Sequence, residues 1–395
     1  MPAPEKLHFP LVDSSYDNQE IISCMATLLS GQLTMGAKVR QFEQDFAKYC
    51  GAPHAVMVNS GSSANLLCVA ALFYKKDQPL SRGDEVIVPA ISWATTYHPL
   101  QQYGLKLKIV DVELDTLNID VRQLERSMSP RTRAIMGVSI LGNPAALDVM
   151  RRFADAHGLY FIEDNCESMD AELDGRKAGT FGHLSTFSTF FSHHISTMEG
   201  GMITTDDREL FELVKSMRAH GWVRDLPADS IIYDKHDDDF YEAYRFILPG
   251  YNVRPIEMSG AIGLEQLKKL PAMTAARRKN WARFQELFAG DNRYIIQREN
   301  GKSSAFSFTI VVSPNAGLSR AQVFAGLKQA DIGYRIITGG CITRHDVIRH
   351  YDYETVDTLP NANQAHDWGF FVGNHPFDLT LQVERLRDVL DGVAR

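Results

Sequence analysis

The sequence has little that would place the protein in a membrane or on a nucleic acid. No run of 18 apolar residues occurs, which excludes a membrane-spanning helix. The 41 basic and 49 acidic residues are dispersed, and no block of Lys or Arg indicates a nucleic-acid partner. The first residues, MPAPEKLHFPLVD, lack the apolar core of a signal peptide. These absences favour a cytoplasmic protein.

Cysteine is also scarce. The five cysteines form no C-x-x-C pair, so we expect neither a disulfide framework nor a zinc or iron–sulfur site built from cysteines alone. A reducing compartment fits this usage. The cysteines are Cys24, Cys50, Cys68, Cys166 and Cys341.

The composition that remains is that of an ordinary globular protein, with 395 residues that are 44% hydrophobic and 23% charged. From about residue 55 to 205, short apolar runs alternate with helical patterns, which predicts a mostly parallel sheet with helices on both faces. In such sheets the ligand site lies beyond the carboxyl ends of the strands. The apolar runs are Ala55–Val58, Glu85–Pro89, Leu107–Val110, Ala134–Ser139, Leu159–Ile162 and Met202–Thr205.

A second region follows this alternation. Residues 224–249 are acidic and aromatic, and we interpret them as an insertion or a long loop. A long helical pattern then runs from about Pro255 to Leu287, and residues 305–395 are typical of an α+β unit. A chain of this length is expected to form two domains. We predict a large domain over 1–265 and a small domain over 266–395.

One motif points to a phosphate. The segment Asn59–Asn65 follows a predicted strand and opens a helix, and it contains Gly61, Ser62 and Ser63. Glycine allows the backbone to approach an anion, while hydroxyls and the N–H groups at a helix start supply donors. A Ser/Gly turn that only caps the helix is the alternative.

A second motif stands at a predicted strand end, and a third follows it along the chain. A carboxylate in Phe161–Glu167 could keep a pyridinium nitrogen protonated, as pyridoxal chemistry requires, or could be an exposed acidic strand end. The segment Ser188–Gly201 contains His193, His194 and a Glu-Gly-Gly triplet. Adjacent histidines point apart on extended backbone, so we expect no metal site there.

In this order and spacing, the motifs resemble the DegT/DnrJ/EryC1/StrS family of pyridoxal-phosphate-dependent sugar enzymes over nearly the whole chain. The resemblance implies the aspartate aminotransferase fold, which is an α/β fold. Its large domain holds a mostly parallel seven-stranded sheet, and its smaller C-terminal domain is α+β. The resemblance rests on Gly31–Gly36, Phe42-Glu43, Ser60–Ser62, Pro89–Trp93, Glu163-Asp164, Glu199–Gly201, Gly250–Arg254, Gly263–Leu267 and Gly373–Pro376.

The chain departs from the family's aminotransferases at one position. Those enzymes carry a lysine six residues before the Glu-Gly-Gly triplet, and that lysine bonds covalently to the cofactor. Here the position is His193, and no lysine occurs between Lys177 and Lys215. Pyridoxal or pyridoxamine 5′-phosphate is therefore expected to bind non-covalently. Histidine suits a base because its ordinary pKa leaves it neutral at pH 7.

With histidine at this position, the chain resembles a subset of the family, the 4-keto-6-deoxy-sugar 3-dehydratases. These enzymes remove the C3 hydroxyl of a nucleotide-linked sugar. Some members carry an iron–sulfur cluster on cysteines shortly after the histidine. No cysteine lies between Cys166 and Cys341, so the cluster-free type is favoured. Glutamate is the implied amino donor, and GDP is preferred over CDP or dTDP. The alternatives are a nucleotide-sugar aminotransferase with an atypical base and a catalytically silent nucleotide-sugar-binding protein.

The resemblance also implies roles for residues around the cofactor. Gly61, Ser62 and Ser188 would bind its phosphate, and Trp93 would stack on its ring. Asp164 would pair with the ring nitrogen. Trp93 could instead be a core aromatic residue.

Three further roles follow from the same resemblance. Glu167 takes a position near the ring hydroxyl that Gln often holds, and His193 would be the catalytic base. Asn252 would reach the phosphate from a second subunit, which implies an obligate homodimer with shared sites. His220 is a candidate sugar contact. Asn252 could instead only cap the following helix, and His220 could be a loop histidine.

Overall fold

The large sheet of the protein has eight strands. The computed structural model describes residues 8–393. The strands that we use below are numbered in chain order: β1 His54–Val58, β2 Glu85–Pro89, β3 Lys106–Val110, β4 Thr132–Val138, β5 Tyr160–Asp164, β6 Leu184–Ser188, β7 Gly201–Thr205, β8 Tyr294–Ile296, β9 Ser307–Val312, β10 Tyr334–Arg335, β11 Tyr353–Thr355 and β12 Gly369–Gly373.

The eight strands lie in the order β1-β7-β6-β5-β4-β2-β3-β11. All neighbours are parallel except β7, which is antiparallel to β1 and to β6. A second sheet has the antiparallel order β8-β9-β12-β10, and a two-stranded hairpin joins Glu172–Leu173 to Arg176–Lys177. The mostly parallel sheet expected from the sequence is therefore confirmed.

The expected number of seven strands in that sheet is wrong by one. The eighth strand, β11, comes from the C-terminal part of the chain and pairs in parallel with the edge strand β3. Its side chains are polar, and Glu354 forms ion pairs with Lys106 and Lys108 of β3. Because charge pairing replaces apolar burial here, no hydrophobic run in the sequence marks this strand.

The helices cover both faces of the large sheet and link it to the small one. The longest, α8, agrees with the predicted helical pattern and runs without a break across residues 265 and 266, so the predicted domain division stays a prediction. The helices are α1 Asn18–Leu29, α2 Ala37–Cys50, α3 Gly61–Leu72, α4 Ala94–Gln102, α5 Leu147–His157, α6 Arg208–Met217, α7 Asp239–Glu242, α8 Glu257–Phe288, α9 Arg320–Gln329, α10 Pro360–Trp368 and α11 Thr380–Val393.

Two regions outside the large sheet bear on the site. Residues 224–249 contain only the short helix α7 and otherwise follow an irregular path, as the sequence predicts. At the N-terminal end, Phe9 is completely buried in the core of the small sheet beside Phe308, with ring centroids 6.4 Å apart. The amide N–H of Gly333 donates to the carbonyl oxygen of Phe9 at 2.8 Å. Within residues 8–393, no helix is both long and apolar enough to cross a lipid bilayer.

The contact between α2 and α8 depends on a glycine. A Cβ atom at Gly260 of α8 would lie 2.6 Å from the backbone nitrogen of Val39 and 2.7 Å from its Cα atom. Backbone atoms cannot move aside as a side chain could, so the two helices approach this closely only because residue 260 has no side chain.

We therefore expect Gly260→Ala to lower the free energy of unfolding by roughly 1–3 kcal/mol, because the added methyl group forces α2 and α8 apart. Urea unfolding followed by circular dichroism measures the effect. Gly392→Ala is the matched control, since no other described residue beyond its own helix turn lies within 4 Å of a Cβ atom at that helical position. Equal stability of the two variants would contradict the packing argument.

Candidate active site

A cavity of about 330 Å³ lies where the carboxyl ends of the large-sheet strands meet the small sheet. Loops that follow five of those strands form one wall, as the sheet topology predicts. The other wall comes from Arg277 of α8, the small sheet and the N-terminal segment. The residues used below that line it are Asp13, Gly61, Ser62, Asn65, Trp93, Asp164, Cys166, Glu167, Ser188, His193, Arg277, Phe306, Arg335, Thr338, Asn374 and His375.

The start of α3 forms an anion-binding end of the cavity. The Ser60 hydroxyl oxygen caps the helix by accepting from the amide N–H of Ser63 at 3.0 Å. A Cβ atom at Gly61 would lie 2.7 Å from the Cβ atom of Ser188 and 2.9 Å from Sγ of Cys166, so only glycine allows these loops to meet. The first N–H groups of a helix have no partner within it and favour an anion.

Asp164 is a buried carboxylate held by neutral donors. Its Oδ2 atom accepts from Nδ2 of Asn65 and from Oγ1 of Thr96, both at 2.8 Å. Its Oδ1 atom accepts from the amide N–H of Cys166 at 3.2 Å. Within residues 8–393 no cationic side chain pairs with it. The sequence interpretation missed Thr96, because a threonine inside a helix carries no signal of a strand-end partner.

The Glu167 carboxylate is held at one oxygen by two donors. Its Oε2 atom accepts from the amide N–H of Leu141 at 3.1 Å and from Oγ1 of Thr338 at 3.0 Å. Both donor residues have left-handed backbone, with φ of +52° and +40°, a strained conformation for residues with a Cβ atom. Burial raises the pKa of Glu167 to about 7, although these two hydrogen bonds oppose the shift.

His193 lies on the cavity wall between aromatic rings. Its ring packs edge-on against Phe306 with centroids 5.4 Å apart, and Nδ1 is buried with no hydrogen-bond partner. Burial lowers the pKa of His193 to about 4, so the imidazole is neutral at pH 7. A neutral imidazole in this position can accept a proton.

The neighbouring histidine has a different environment. His194 does not line the cavity, and its Nε2 atom lies 3.2 Å from the carbonyl oxygen of Ser304 in the protein interior. Burial lowers its pKa well below the ordinary value. The pair therefore divides into one histidine that faces the cavity and one that belongs to the core.

Trp93 and Ser188 also lie at the cavity. Trp93 precedes α4, and its side chain remains 53% exposed on the cavity wall, so it is not a core aromatic residue. Ser188 ends β6, and its hydroxyl oxygen accepts from the amide N–H of Phe190 at 3.2 Å.

Asn252 and His220 lie outside the cavity of their own chain. A β-bridge between Ala219 and Asn252 brings them together, and the amide N–H of His220 donates to the carbonyl oxygen of Tyr251 at 2.7 Å. Both side chains are exposed, and Nε of Arg254 donates to Oδ1 of Asn252 at 3.0 Å. Of the nine predicted site residues, these two are the ones that the fold does not bring to the cavity.

The donor set fits pyridoxal phosphate. The start of α3, the buried Asp164 carboxylate and the exposed Trp93 all line the cavity, together with a neutral histidine whose Nδ1 atom has no hydrogen-bond partner among the described residues. Among residues 8–393, no lysine lines the cavity. The geometry therefore suits a cofactor held by non-covalent contacts alone.

Comparison with solved structures shows close agreement over the whole chain. A GDP-4-keto-6-deoxymannose-3-dehydratase with a trapped PLP-glutamate geminal diamine is 46% identical, with a TM-score of 0.95, and the match covers 97% of this chain and 100% of that one. A variant of such an enzyme with bound GDP-perosamine is 46% identical, with a TM-score of 0.94, and the match covers 97% of this chain and 100% of that one. The aminotransferase-type fold expected from the sequence is confirmed.

Sequence comparisons agree with the structures. The GDP-4-keto-6-deoxy-D-mannose 3-dehydratase of Yersinia pseudotuberculosis is 47% identical over 386 residues, which is 97% of this chain and 98% of that protein. The profile of the DegT/DnrJ/EryC1/StrS aminotransferase family matches residues 14–393. The chain therefore belongs to the DegT/DnrJ/EryC1/StrS aminotransferase family.

Proposed function

We propose that the protein is a dehydratase that removes the C3 hydroxyl of a nucleotide-linked 4-keto-6-deoxyhexose and gives a 3-deoxy-4-keto sugar. The observation that carries the proposal is the neutral His193 on the wall of a cavity that contains no lysine among the described residues. The similar proteins named as GDP-4-keto-6-deoxymannose 3-dehydratases support this activity and favour GDP as the nucleotide.

The cavity residues divide into those that bind the cofactor and those that move protons. Gly61, Ser62 and Ser188 hold the phosphate of pyridoxal or pyridoxamine phosphate, and Trp93 covers the ring. Asp164 pairs with the protonated ring nitrogen, which compensates its own buried charge. When bound, the pyridoxamine form supplies an amine for the C4 ketone of the sugar and a ring that accepts electrons.

His193 then moves the proton on which elimination depends. The neutral ring takes a proton from the C4′ carbon of the cofactor, and the protonated ring can next assist the C3 hydroxyl as it leaves. Imidazole cannot form the covalent link that lysine forms. This difference directs the chemistry away from transamination of the sugar and toward loss of the hydroxyl.

Glutamate is the amino donor of the proposal. Release of the deoxygenated sugar and ammonia leaves the cofactor as pyridoxal phosphate, so an amine must restore it before the next turnover. The PLP-glutamate adduct in a 46% identical enzyme supports glutamate for this step. Iron–sulfur chemistry has no part in the proposed cycle.

A homodimer with shared sites completes the proposal. Asn252 reaches the cofactor phosphate of the partner subunit, and His220 contacts the sugar from the same side. The exposed apolar face of α1 supports such an interface, because contiguous exposed apolar surface marks association sites. That face consists of Ile21, Ile22, Met25, Leu28 and Leu29, each 48–86% exposed.

A cytoplasmic location also belongs to the proposal. All five cysteines carry free thiols, which is the state expected in a reducing compartment.

Incubation of the protein with GDP-4-keto-6-deoxymannose, pyridoxamine phosphate and glutamate tests the activity. We expect a product that lacks the C3 hydroxyl by mass spectrometry and NMR. His193→Lys should abolish dehydration and attach the cofactor covalently, which borohydride reduction and protein mass spectrometry detect. A product that keeps its C3 hydroxyl and gains an amine would refute the proposal, and unchanged dehydration in the variant would remove His193 as the base.

The carboxyl of Glu167 should make stability depend on pH. Its pKa is about 7 in the folded protein against 4.5 in the unfolded chain, so the folded state binds more protons between these values. Stability should therefore fall as pH rises through that window. Glu167→Gln removes the ionisation. Urea unfolding of the cofactor-free proteins measures the difference in free energy of unfolding between the variant and the wild type. We expect this difference to favour the variant more at pH 8 than at pH 5. An equal difference at both pH values would contradict the raised pKa.

If each site contains residues of both subunits, two inactive variants should regain activity when their subunits form mixed dimers. A mixed dimer of His193→Asn and Asn252→Ala subunits contains one site with both wild-type residues. Random mixing should restore about a quarter of wild-type activity, since half of the dimers are mixed and each has one intact site. Activity after unfolding and refolding of the mixture measures the rescue, with each variant refolded alone as the control. No rescue would place Asn252 within its own subunit's site or outside catalysis.

A further inference from the structure

A buried cation in the cavity wall has no acidic partner among residues 8–393. Arg277, near the middle of α8, lines the cavity and is only 5% exposed. Burial lowers the pKa of its guanidinium to about 10, and no acidic side chain offsets that effect. The exposed Asp13 lines the same cavity, yet it makes no ion pair with Arg277. A buried charge without a partner is costly, so an anionic ligand would relieve it.

The hydrogen bonds of Arg277 leave one edge of its guanidinium available. Both bonds come from Nη1, which donates to the carbonyl oxygen of Phe306 at 3.4 Å and to that of Asn374. The Nε atom is buried and has no hydrogen-bond partner in the protein. Its N–H lies on the same edge of the planar group as Nη2, and this pair of donors matches the two oxygens of a carboxylate.

Arg277 lies close to the proposed base. Phe306 connects them, because its carbonyl oxygen accepts from Arg277 and its ring packs against His193. The positive charge of Arg277 also contributes to the lowered pKa of His193. An anion held by Arg277 would therefore lie beside the atoms that react.

We propose that Arg277 binds the carboxylate of the amino-acid donor during restoration of the amine form of the cofactor. This inference rests on the proposed function, and it names the residue that binds the second substrate, the amino-acid donor. In an α-amino acid the carboxylate is bonded to the carbon that bears the amine, so it must lie beside the reacting centre. The diphosphate of a nucleotide sugar is separated from the reacting C4 carbon by the hexose ring and fits this position less well.

The restoration step balances without another reactant. The bond between the donor nitrogen and its α-carbon breaks, and nitrogen is transferred to the aldehyde carbon of the cofactor. The α-carbon is oxidised by two electrons to a ketone, while the aldehyde carbon is reduced by two electrons to an aminomethyl group. The aldehyde carbon loses one oxygen and the α-carbon gains one, so oxygen also balances. Glutamate thus leaves as a 2-oxo acid.

Separate measurement of the two half-reactions tests the assignment. Restoration is followed by cofactor absorbance after glutamate is added to the pyridoxal form, and dehydration is followed in a single turnover of the pyridoxamine form. In Arg277→Gln and Arg277→Lys, the glutamate concentration for half-maximal restoration should rise by at least about tenfold. The effect on single-turnover dehydration should be smaller than the effect on restoration, most clearly in Arg277→Lys, which keeps the positive charge beside His193.

Arg278→Gln is the matched control. Arg278 is the next residue of α8, does not line the cavity, and donates to the carbonyl oxygens of Ser303 at 2.7 Å and Asp170 at 2.8 Å. Arg278→Gln removes hydrogen bonds to backbone carbonyl oxygens, as Arg277→Gln also does. A purely structural effect of losing such bonds should therefore appear in both variants. The glutamate dependence of this variant should match that of the wild type.

A binding measurement makes the inference independent of turnover. Calorimetric titration of the pyridoxal-phosphate-loaded protein with glutarate, an unreactive dicarboxylate, should show binding that Arg277→Gln weakens by at least about tenfold. A parallel titration with GDP should be unaffected. Weakened GDP binding with unchanged glutarate binding would assign Arg277 to the diphosphate and overturn the inference.

Two further outcomes separate this inference from the proposed function. Equal losses in both half-reactions, with the same loss in Arg278→Gln, would make Arg277 a structural residue and overturn the assignment. A wild-type protein that does not dehydrate the sugar, yet binds glutarate in an Arg277-dependent way, would refute the proposed function and support the carboxylate site.

Discussion

The active site is organised around a buried negative charge that the protein does not neutralise by itself. Asp164 receives hydrogen bonds from Asn65, Thr96 and a backbone amide, all of which are neutral donors. Such donors orient a carboxylate, but they bring no positive charge to it. The environment therefore favours a cationic ring above Asp164.

The cavity exists because loops from separate parts of the chain meet closely. Gly61 permits the contact with Ser188 and Cys166, and the packing of α2 against α8 holds the long helix in place. Through that helix, Arg277 is fixed to the carbonyl oxygens of Phe306 and Asn374, which belong to the small-sheet side. One wall is thus set by the large sheet and the other by α8, so the relative placement of the two sheets determines the shape of the site.

Sequence reasoning recovered the parts of this arrangement that depend on local chemistry. Six strands followed from apolar runs, and His193 followed from its spacing to the Glu-Gly-Gly triplet. The sequence interpretation did not identify β6, because its LSTFS sequence is polar although every residue is buried. It also missed β11, which is held by ion pairs.

The missed site residues have a common physical cause. Thr96, Thr338 and Arg277 act through contacts made across long stretches of chain, and each is of a type that is common on protein surfaces. Arg277 lies in a helical pattern where nothing in the sequence distinguishes a buried arginine from the neighbouring Arg278. Only the folded arrangement shows which of them faces the cavity.

The burial of Phe9 in the small-sheet core has a consequence for how the chain is made. Other residues of this core, including Phe370 and Leu386, are synthesised long after Phe9. Contacts between such distant positions form slowly because a long loop must close first. The C-terminal unit therefore cannot mature as an independent C-terminal segment.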